Sequence, residues 1–389
     1  MRGLTGHYSI SKSGGETVRA FVPAPLPPAP ALVWDVRLQE LSQRAMLALG
    51  RLDGLTGLLP DVNQFLYTYV RKEAVLSSQI EGTQSSLSDL LLFESSDSPG
   101  VPTADVVEVS NYVAAMEHGL RRMKDGFPLS LRLLREIHGV LLAKGRGSER
   151  RPGEFRTSQN WIGGSRPGTA RYVPPPPDEV SSCMSALEKF LHDQPSATPP
   201  LVKAALAHVQ FETVHPFLDG NGRVGRLLIT LLLCHDRVLS QPLLYLSLHL
   251  KQHRPTYYEL LQRVRTEGAW EEWLEFFFAG VIDVAEEAAA MTMQVLRLFQ
   301  EHQRKIAGLG SAAPTVARVH TLLQRHPMLS VNRARELLGN APAFSTVNSA
   351  FSRLTDLGIV AERTGGARGR VFAYKAYLAA LNEGTELPA

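Results

Sequence analysis

The stretch HPFLDGNGRVGR, from His215 to Arg226, concentrates several kinds of chemistry in one loop. Gly220 and Gly222 flank Asn221, so successive backbone N–H groups are free to curl into a concave anion site. A helix predicted to begin near Val224 adds its positive N-terminal end to the same place. A phosphate chain belongs there. Arg223 and Arg226 lie three residues apart, so at a helix start they share a face and can grip different phosphates with planar donor forks. Asp219 supplies a hard oxygen for Mg²⁺, which commonly holds a carboxylate, phosphate oxygens and several waters. His215 can take a proton near neutral pH. Together these groups meet the requirements of phosphoryl-type transfer: a nucleotide phosphate held in place, its developing charge neutralised and an incoming hydroxyl activated.

Gly220, Gly222 and Gly225 also satisfy the GxGxxG dinucleotide pattern, but that pattern needs a preceding strand. Here Leu201, Ala205 and Val209 recur every four residues, which is a helical period. A Walker loop is excluded because no GK[ST] follows. The full pattern, HPF, two residues, GNGR, two residues and Arg, resembles the motif of the Fic family, with the acidic residue usual in its AMP-transferring members at Asp219. The resemblance implies that His215 is the general base and that Asp219 binds Mg²⁺. It further implies that Asn221 with the loop amides of Gly220, Gly222 and Gly225 holds the α-phosphate, that Arg223 and Arg226 take the outer phosphates, and that Phe217 is a buried anchor.

The PLPP arm, SSQIEGT, EVSNYV, GEFR and YYELL are similar to the Fic subgroup that ends in a winged helix. In that subgroup the hairpin before the motif is a flap that pins the target by strand addition, here Asn160, Trp161, Ile162 and Gly163. Tyr257 and Tyr258 correspond to adenine-pocket tyrosines, with core packing as the other reading of these aromatics. The implied activity is transfer of AMP from ATP to a Ser, Thr or Tyr hydroxyl of a target protein or of the chain itself. ATP is then the substrate and Mg²⁺ the cofactor. Two further readings stay open: a DNA-binding regulator whose Fic domain senses nucleotides, and a Fic transferase using another nucleotide.

Ser77, three residues, Glu81 and Gly82 resemble the inhibitory helix signature of the same family. In a helix Ser77 and Glu81 fall one turn apart on one face, so both can enter one cleft beside Leu76 and Ile80. Arg226 is the natural partner for Glu81, whose carboxylate would then occupy the place of an outer phosphate.

The elements that must position these groups read as mostly α: a Fic-type helical bundle with a β-hairpin flap, plus a C-terminal winged helix-turn-helix. Five prolines in Phe21 to Pro30 predict an extended surface arm. Helical spacing covers Val36 onward, Val62 to Gln79, Val107 to Met123, Leu129 to Leu142, Pro177 to His192, Leu201 to the motif, Val224 to His235, Thr256 to Arg265, and Trp270 to Leu298. Between Arg151 and Pro177, short strands at Asn160 to Ile162 and Ala170 to Val173 flank a GGSRPG turn and predict the hairpin. The run QEHQRKIAGLG reads as the exit from the main domain. After it, helices at Val316 to Arg325, Val331 to Leu338 (capped by Ser330) and Ser345 to Leu357 precede a basic two-strand wing at Glu362 to Tyr374. The expected division is an N-terminal arm and inhibitory region at 1–100, a catalytic core at 101–305 and the winged domain at 306–389.

A formal charge of +3, from 41 basic and 38 acidic side chains, makes the whole surface no general magnet for nucleic acid, so any basic patch is local. Arg353, Arg363, Arg368 and Arg370 form such a patch, making DNA a candidate partner beside the target protein, with protein docking or a homodimer as alternatives. Cys183 and Cys234 lack a CxxC spacing, which fits a reducing cytoplasm, and no run is long enough for a membrane partner.

Overall fold

The computed structural model describes residues 2–13, 16–58, 62–95, 103–364 and 369–386. Strands β1 (Gly6–Ser13) and β2 (Glu16–Pro23) pair antiparallel, with Gly6 opposite Pro23. Helix α1 (Val36–Leu55) starts where the Asp35 carboxylate accepts the Leu38 N–H at 2.7 Å. Helix α2 (Val62–Ile80) ends just before Gly82, whose φ of 96° turns the chain out of the helix. Then follow α3 (Leu87–Ser95), α4 (Thr103–Lys124), α5 (Leu131–Leu141) behind its Ser130 cap, and α6 (Pro177–Leu191).

Helix α7 (Pro200–Val214) opens on prolines, whose fixed φ suits a first turn. Every residue from Leu201 to Val214 is buried, as expected of a helix enclosed on all sides. Helix α8 (Asn221–His235) packs along it and is buried from Val224 to Leu233. Around this pair lie α9 (Ser247–Gln252), α10 (Arg254–Glu267) and α11 (Trp270–Ala307). The Trp273 indole N–H donates to the Ala205 carbonyl at 3.0 Å and ties α11 to α7. Helix α1 packs along α11, and α2 packs on α4 and α9. The motif loop therefore joins two deeply enclosed helices of the bundle, which hold its ends rigidly.

The C-terminal part contains α12 (Ala313–Arg325), β3 (Met328–Ser330), α13 (Val331–Leu337), α14 (Phe344–Asp356), β4 (Val360–Glu362), β5 (Val371–Tyr374) and α15 (Lys375–Asn382). Its strands are ordered β3-β5-β4. The Ser330 hydroxyl accepts the Arg333 N–H, as its predicted capping role requires. Helices α12 and α15 pack on α2, and the Gln79 amide donates to the carbonyl of Thr385 at 3.0 Å.

Several expectations differ from the structure. The predicted surface arm begins as the buried end of β2: Phe21 and Val22 are enclosed, and so is Leu26. Prolines start only at Pro23, and before them β2 leans on the flap, its Phe21 N–H donating to the Val173 carbonyl at 2.9 Å. Helix α8 starts at Asn221 rather than Val224, and α11 runs past Leu298 to Ala307 because nothing in the polar run breaks a helix before Gly308. Strand β3 and helix α15 were not anticipated. The predicted hairpin is reduced to one bridge, Ile162 to Tyr172, with a 3₁₀ turn at Pro167–Thr169. Among the described residues no helix is long and apolar enough to cross a membrane.

Candidate active site

Helix α7 stops at His215, whose φ of 49° lies in the left-handed region uncommon for a side chain with a Cβ. Pro216 cannot continue the helix, and the chain turns into the loop. Arg156 fixes this corner. Its buried guanidinium donates to the carbonyls of His215 at 2.9 Å and Pro175 at 2.6 Å, and its own N–H donates to Pro216. Phe217 is fully enclosed and stacks on the His138 ring at 3.7 Å. The Gly153 N–H donates to His138 Nδ1, which leaves Nε2–H to donate to the Asp219 carbonyl. Burial pushes His138 down to about 4, in keeping with this neutral tautomer.

Asn221 acts as a staple: its carbonyl oxygen accepts the Phe217 N–H and its amide donates to the Phe217 oxygen, both at 2.8 Å. Its side chain thus shapes the loop from within. Gly220 caps α8 with φ 74° and no side-chain bond to the first turn. The N–H groups that open an α-helix lack intrahelical partners, so they face the loop as donors. The Asp219 carboxylate is partly exposed, accepts the Gly220 N–H at 2.6 Å, and lies 3.7 Å from Arg223.

His215 Nδ1 is buried without a partner. Burial first, and then the positive charge of Arg156, hold its pKa down to about 4, so the ring is neutral and able to accept a proton across the ordinary pH range. Asn160 reaches the same loop, its amide donating to the Phe217 carbonyl at 3.1 Å. Trp161 and Ile162 stay exposed on the flap.

The two motif arginines are both buried and both engaged. Arg226 donates from Nε to the Ser77 hydroxyl at 2.8 Å, and from Nη2 to the Ser77 carbonyl at 3.0 Å and to Glu81 at 2.6 Å. A Cβ added to Gly222 would fall 2.2 Å from Glu81 Oε1, so this carboxylate lies directly over the Gly-rich turn. Burial pushes the Glu81 carboxyl up, but the charge and the hydrogen bond of Arg226 together outweigh it and hold it below the ordinary range. Arg223 donates to Glu108 of α4 at 2.7 Å.

A cavity of about 390 Å³ opens beside the loop, lined among others by Ile162, Gly163, Glu212, Tyr258 and Arg265. Of the two predicted adenine-pocket tyrosines only Tyr258 reaches it. Tyr257 is buried in the bundle with its hydroxyl 2.9 Å from His208 Nε2, while His208 Nδ1 bonds the Gly225 carbonyl. Burial raises Glu212 to about 7, against the pull of Arg226.

The structure brings Ser77, Glu81, Asn160, His215, Asp219 and the motif arginines around one loop. Sequence reasoning gave no role to His138, Arg156 or Glu108. Arg156 and Glu108 fall in the segments GEFR and EVSNYV, which carry the family resemblance but whose chemistry no periodicity reveals. In the C-terminal part Arg353 and Arg363 are exposed, and Arg370 is turned to Asn348 at 2.6 Å. Arg368 lies outside the described residues.

Residues 39–121 match the Fic/DOC family N-terminal model and residues 128–233 match the Fic/DOC family model. A protein adenylyltransferase Fic of Culex quinquefasciatus is 37% identical over 152 residues, which make up 38% of this chain and 27% of that relative. The corresponding protein of Drosophila grimshawi is 31% identical over 170 residues, covering 43% of this chain and 32% of that relative. The chain spans about a third or less of the length of these curated relatives. A crystal structure of a Fic family protein from Desulfovibrio desulfuricans G20 superposes with a TM-score of 0.57 at 19% identity, covering 88% of this chain and 97% of that one.

Proposed function

From a chain that belongs to the Fic/DOC family, we propose that the loop transfers AMP from ATP to a Ser, Thr or Tyr hydroxyl of a target protein or of the chain itself, and that Glu81 holds it in an off state. One observation carries the reading: an anionic side chain from outside the motif is seated on Arg226 and over Gly222, in a cradle whose donors suit phosphate.

With Glu81 withdrawn, the α8 N-terminus receives the α-phosphate and Arg226 and Arg223 steady the outer ones. His215 takes the proton of the incoming hydroxyl as its oxygen bonds to the α-phosphorus. The bond from that phosphorus to the bridging oxygen breaks, and pyrophosphate leaves with the bond's electron pair. A single half-exposed carboxylate beside the cradle fits Mg²⁺, which binds through one or two carboxylates plus substrate phosphates, and Asp219 is the residue that would hold it. When bound, the ion neutralises charge on the phosphates. Arg156, Asn221 and His138 keep the loop in shape, and the exposed edge at Asn160 to Gly163 offers backbone groups to an extended target segment.

Labelled ATP, GTP and UTP incubated with wild-type protein and Glu81→Gly test the reading. Incorporation of label from the α-phosphate of ATP into protein, stronger in the variant, is expected. Preference for GTP or UTP would reassign the donor, and binding without incorporation by either protein would leave a nucleotide sensor.

A further inference from the structure

We infer that Glu108 is a positioning residue that keeps Arg223 off the metal-binding carboxylate of Asp219; this rests on the phosphate-transfer reading of the loop. Glu108 projects from α4 and is 2% exposed. Its Oε1 accepts three donors: Arg223 Nη1 at 2.7 Å, Arg146 Nη2 at 3.0 Å and the Thr83 hydroxyl at 3.3 Å. These come from α8, from the loop after α5, and from the turn that leaves α2 beyond Glu81. One carboxylate oxygen therefore gathers three separate pieces of the site.

Arg223 is as deeply buried as Glu108, and its Nε has no partner. A buried guanidinium requires a nearby counter-charge. Two carboxylates are in reach: Glu108 at bonding distance and Asp219, four residues earlier in sequence, at 3.7 Å. With Nη1 tied to Glu108, the Asp219 carboxylate remains outside hydrogen-bond range and half-exposed toward the phosphate cradle. Without Glu108, and with Glu81 replaced by glycine, Asp219 is the nearest remaining carboxylate to a buried cation, and the short swing that pairs them would withdraw the oxygens offered to a divalent ion. Glu108 thus acts through Arg223 on the metal site and has no need to touch nucleotide itself.

Four proteins test this: Glu81→Gly as the parent, Glu108→Gln and Glu108→Ala added to it, and Glu108→Ala alone with Glu81 intact. Mn²⁺ serves as a spin probe in the presence of ATP, with retention followed by water-proton relaxation and nucleotide affinity measured separately without divalent ion. The expected result for Glu108→Ala is at least roughly fivefold weaker Mn²⁺ retention, with nucleotide affinity without metal unchanged within about twofold. Glu108→Gln, which keeps an acceptor for Arg223 but loses the charge, should fall between parent and alanine variant. If the alanine variant does not fold, the glutamine variant decides alone. Mn²⁺ retention equal to the parent in a folded variant overturns the inference, and so does faster transfer on replacing Glu108 while Glu81 is intact, which would make it a second brake. Failure of the function reading looks different: the parent would retain Mn²⁺ and ATP yet never label protein.

Discussion

Arg223 and Arg226 stand three residues apart on α8, both buried, each bound to a carboxylate supplied from outside the motif. The carboxylates differ in one respect. The Glu81 side chain keeps 32% of its surface exposed, while that of Glu108 keeps 3%. Glu81 follows Ile80, the buried last residue of α2, and is itself exposed, so its side chain can swing toward solvent without moving the buried helix. Glu108 lies within α4, with Val106 and Val109 packed in the core beside it. Losing either partner strands a buried cation, but only Glu81 can withdraw while the bundle stays closed. An ion pair at a rim can serve as a brake, whereas the same pair inside the bundle is a fixture.

The largest effect expected is at a residue that touches neither pair. His215→Ala in the Glu81→Gly background leaves both arginines free to bind nucleotide, so ATP affinity should persist while transfer falls by roughly 10²- to 10⁴-fold. Single-turnover labelling beside equilibrium ATP binding separates the two quantities. A variant labelling at the parental rate would remove His215 from the chemistry.

Next comes the brake. Glu81→Gly frees the Nη2 edge of Arg226 and clears the space over Gly222, and transfer should rise at least about tenfold, equivalent to about 1.4 kcal/mol in the barrier. An unchanged rate with intact folding would make Glu81 a structural rim contact and remove the brake. A smaller change is expected from Ser77→Ala. Arg226 then loses the acceptor for its buried Nε but keeps the Ser77 carbonyl and Glu81, so stability should drop by about 1–2 kcal/mol in urea unfolding. Transfer should change by less than about threefold, since an order of magnitude needs about 1.4 kcal/mol and the carboxylate stays.

The contrast between the pairs was half legible in the sequence. Ser77 and Glu81 could be placed on one face of a helix because a four-residue spacing fixes their direction, and the motif named the arginine they would meet. Glu108 could not, because its importance comes from a helix crossing between α4 and α8 that leaves no local period. The same holds for Arg156 and His138, which hold the loop from segments far away in sequence. Tyr257 and Tyr258 show the limit at single-residue resolution: adjacent positions on α10 point to the bundle interior and to the cavity, and only packing decides which. The buried strand β2 was hidden by the prolines that follow it, whose extended signature spread backward over Phe21 and Val22.

The smallest change is expected from pH, and there activity and stability part. Glu81 is held below the ordinary carboxylate range by Arg226, so from about pH 5.5 to about pH 8 it stays ionised. The rate ratio between Glu81→Gly and wild type should accordingly remain constant within about twofold over that span. Stability should not stay constant. Burial is the main cause that pushes His138, His208, His215, His249, His320 and His326 down to about 4. The unfolded chain takes up these protons near pH 6.5, where the folded chain does not, so their contribution is complete above about pH 6.5 and is lost as pH falls toward 4. Glu73 and Glu212 act in the opposite sense, since burial raises both to about 7 and the folded state holds their protons between about pH 4.5 and about pH 7. The histidines outnumber them in the shared window, so the melting temperature should fall on going from about pH 6.5 to about pH 5, in parallel for wild type and Glu81→Gly. Convergence of the two transfer rates on mild acidification, while both proteins remain folded, would mean that Glu81 takes up a proton there. The brake would then be a pH-sensitive contact instead of a permanent charge awaiting displacement.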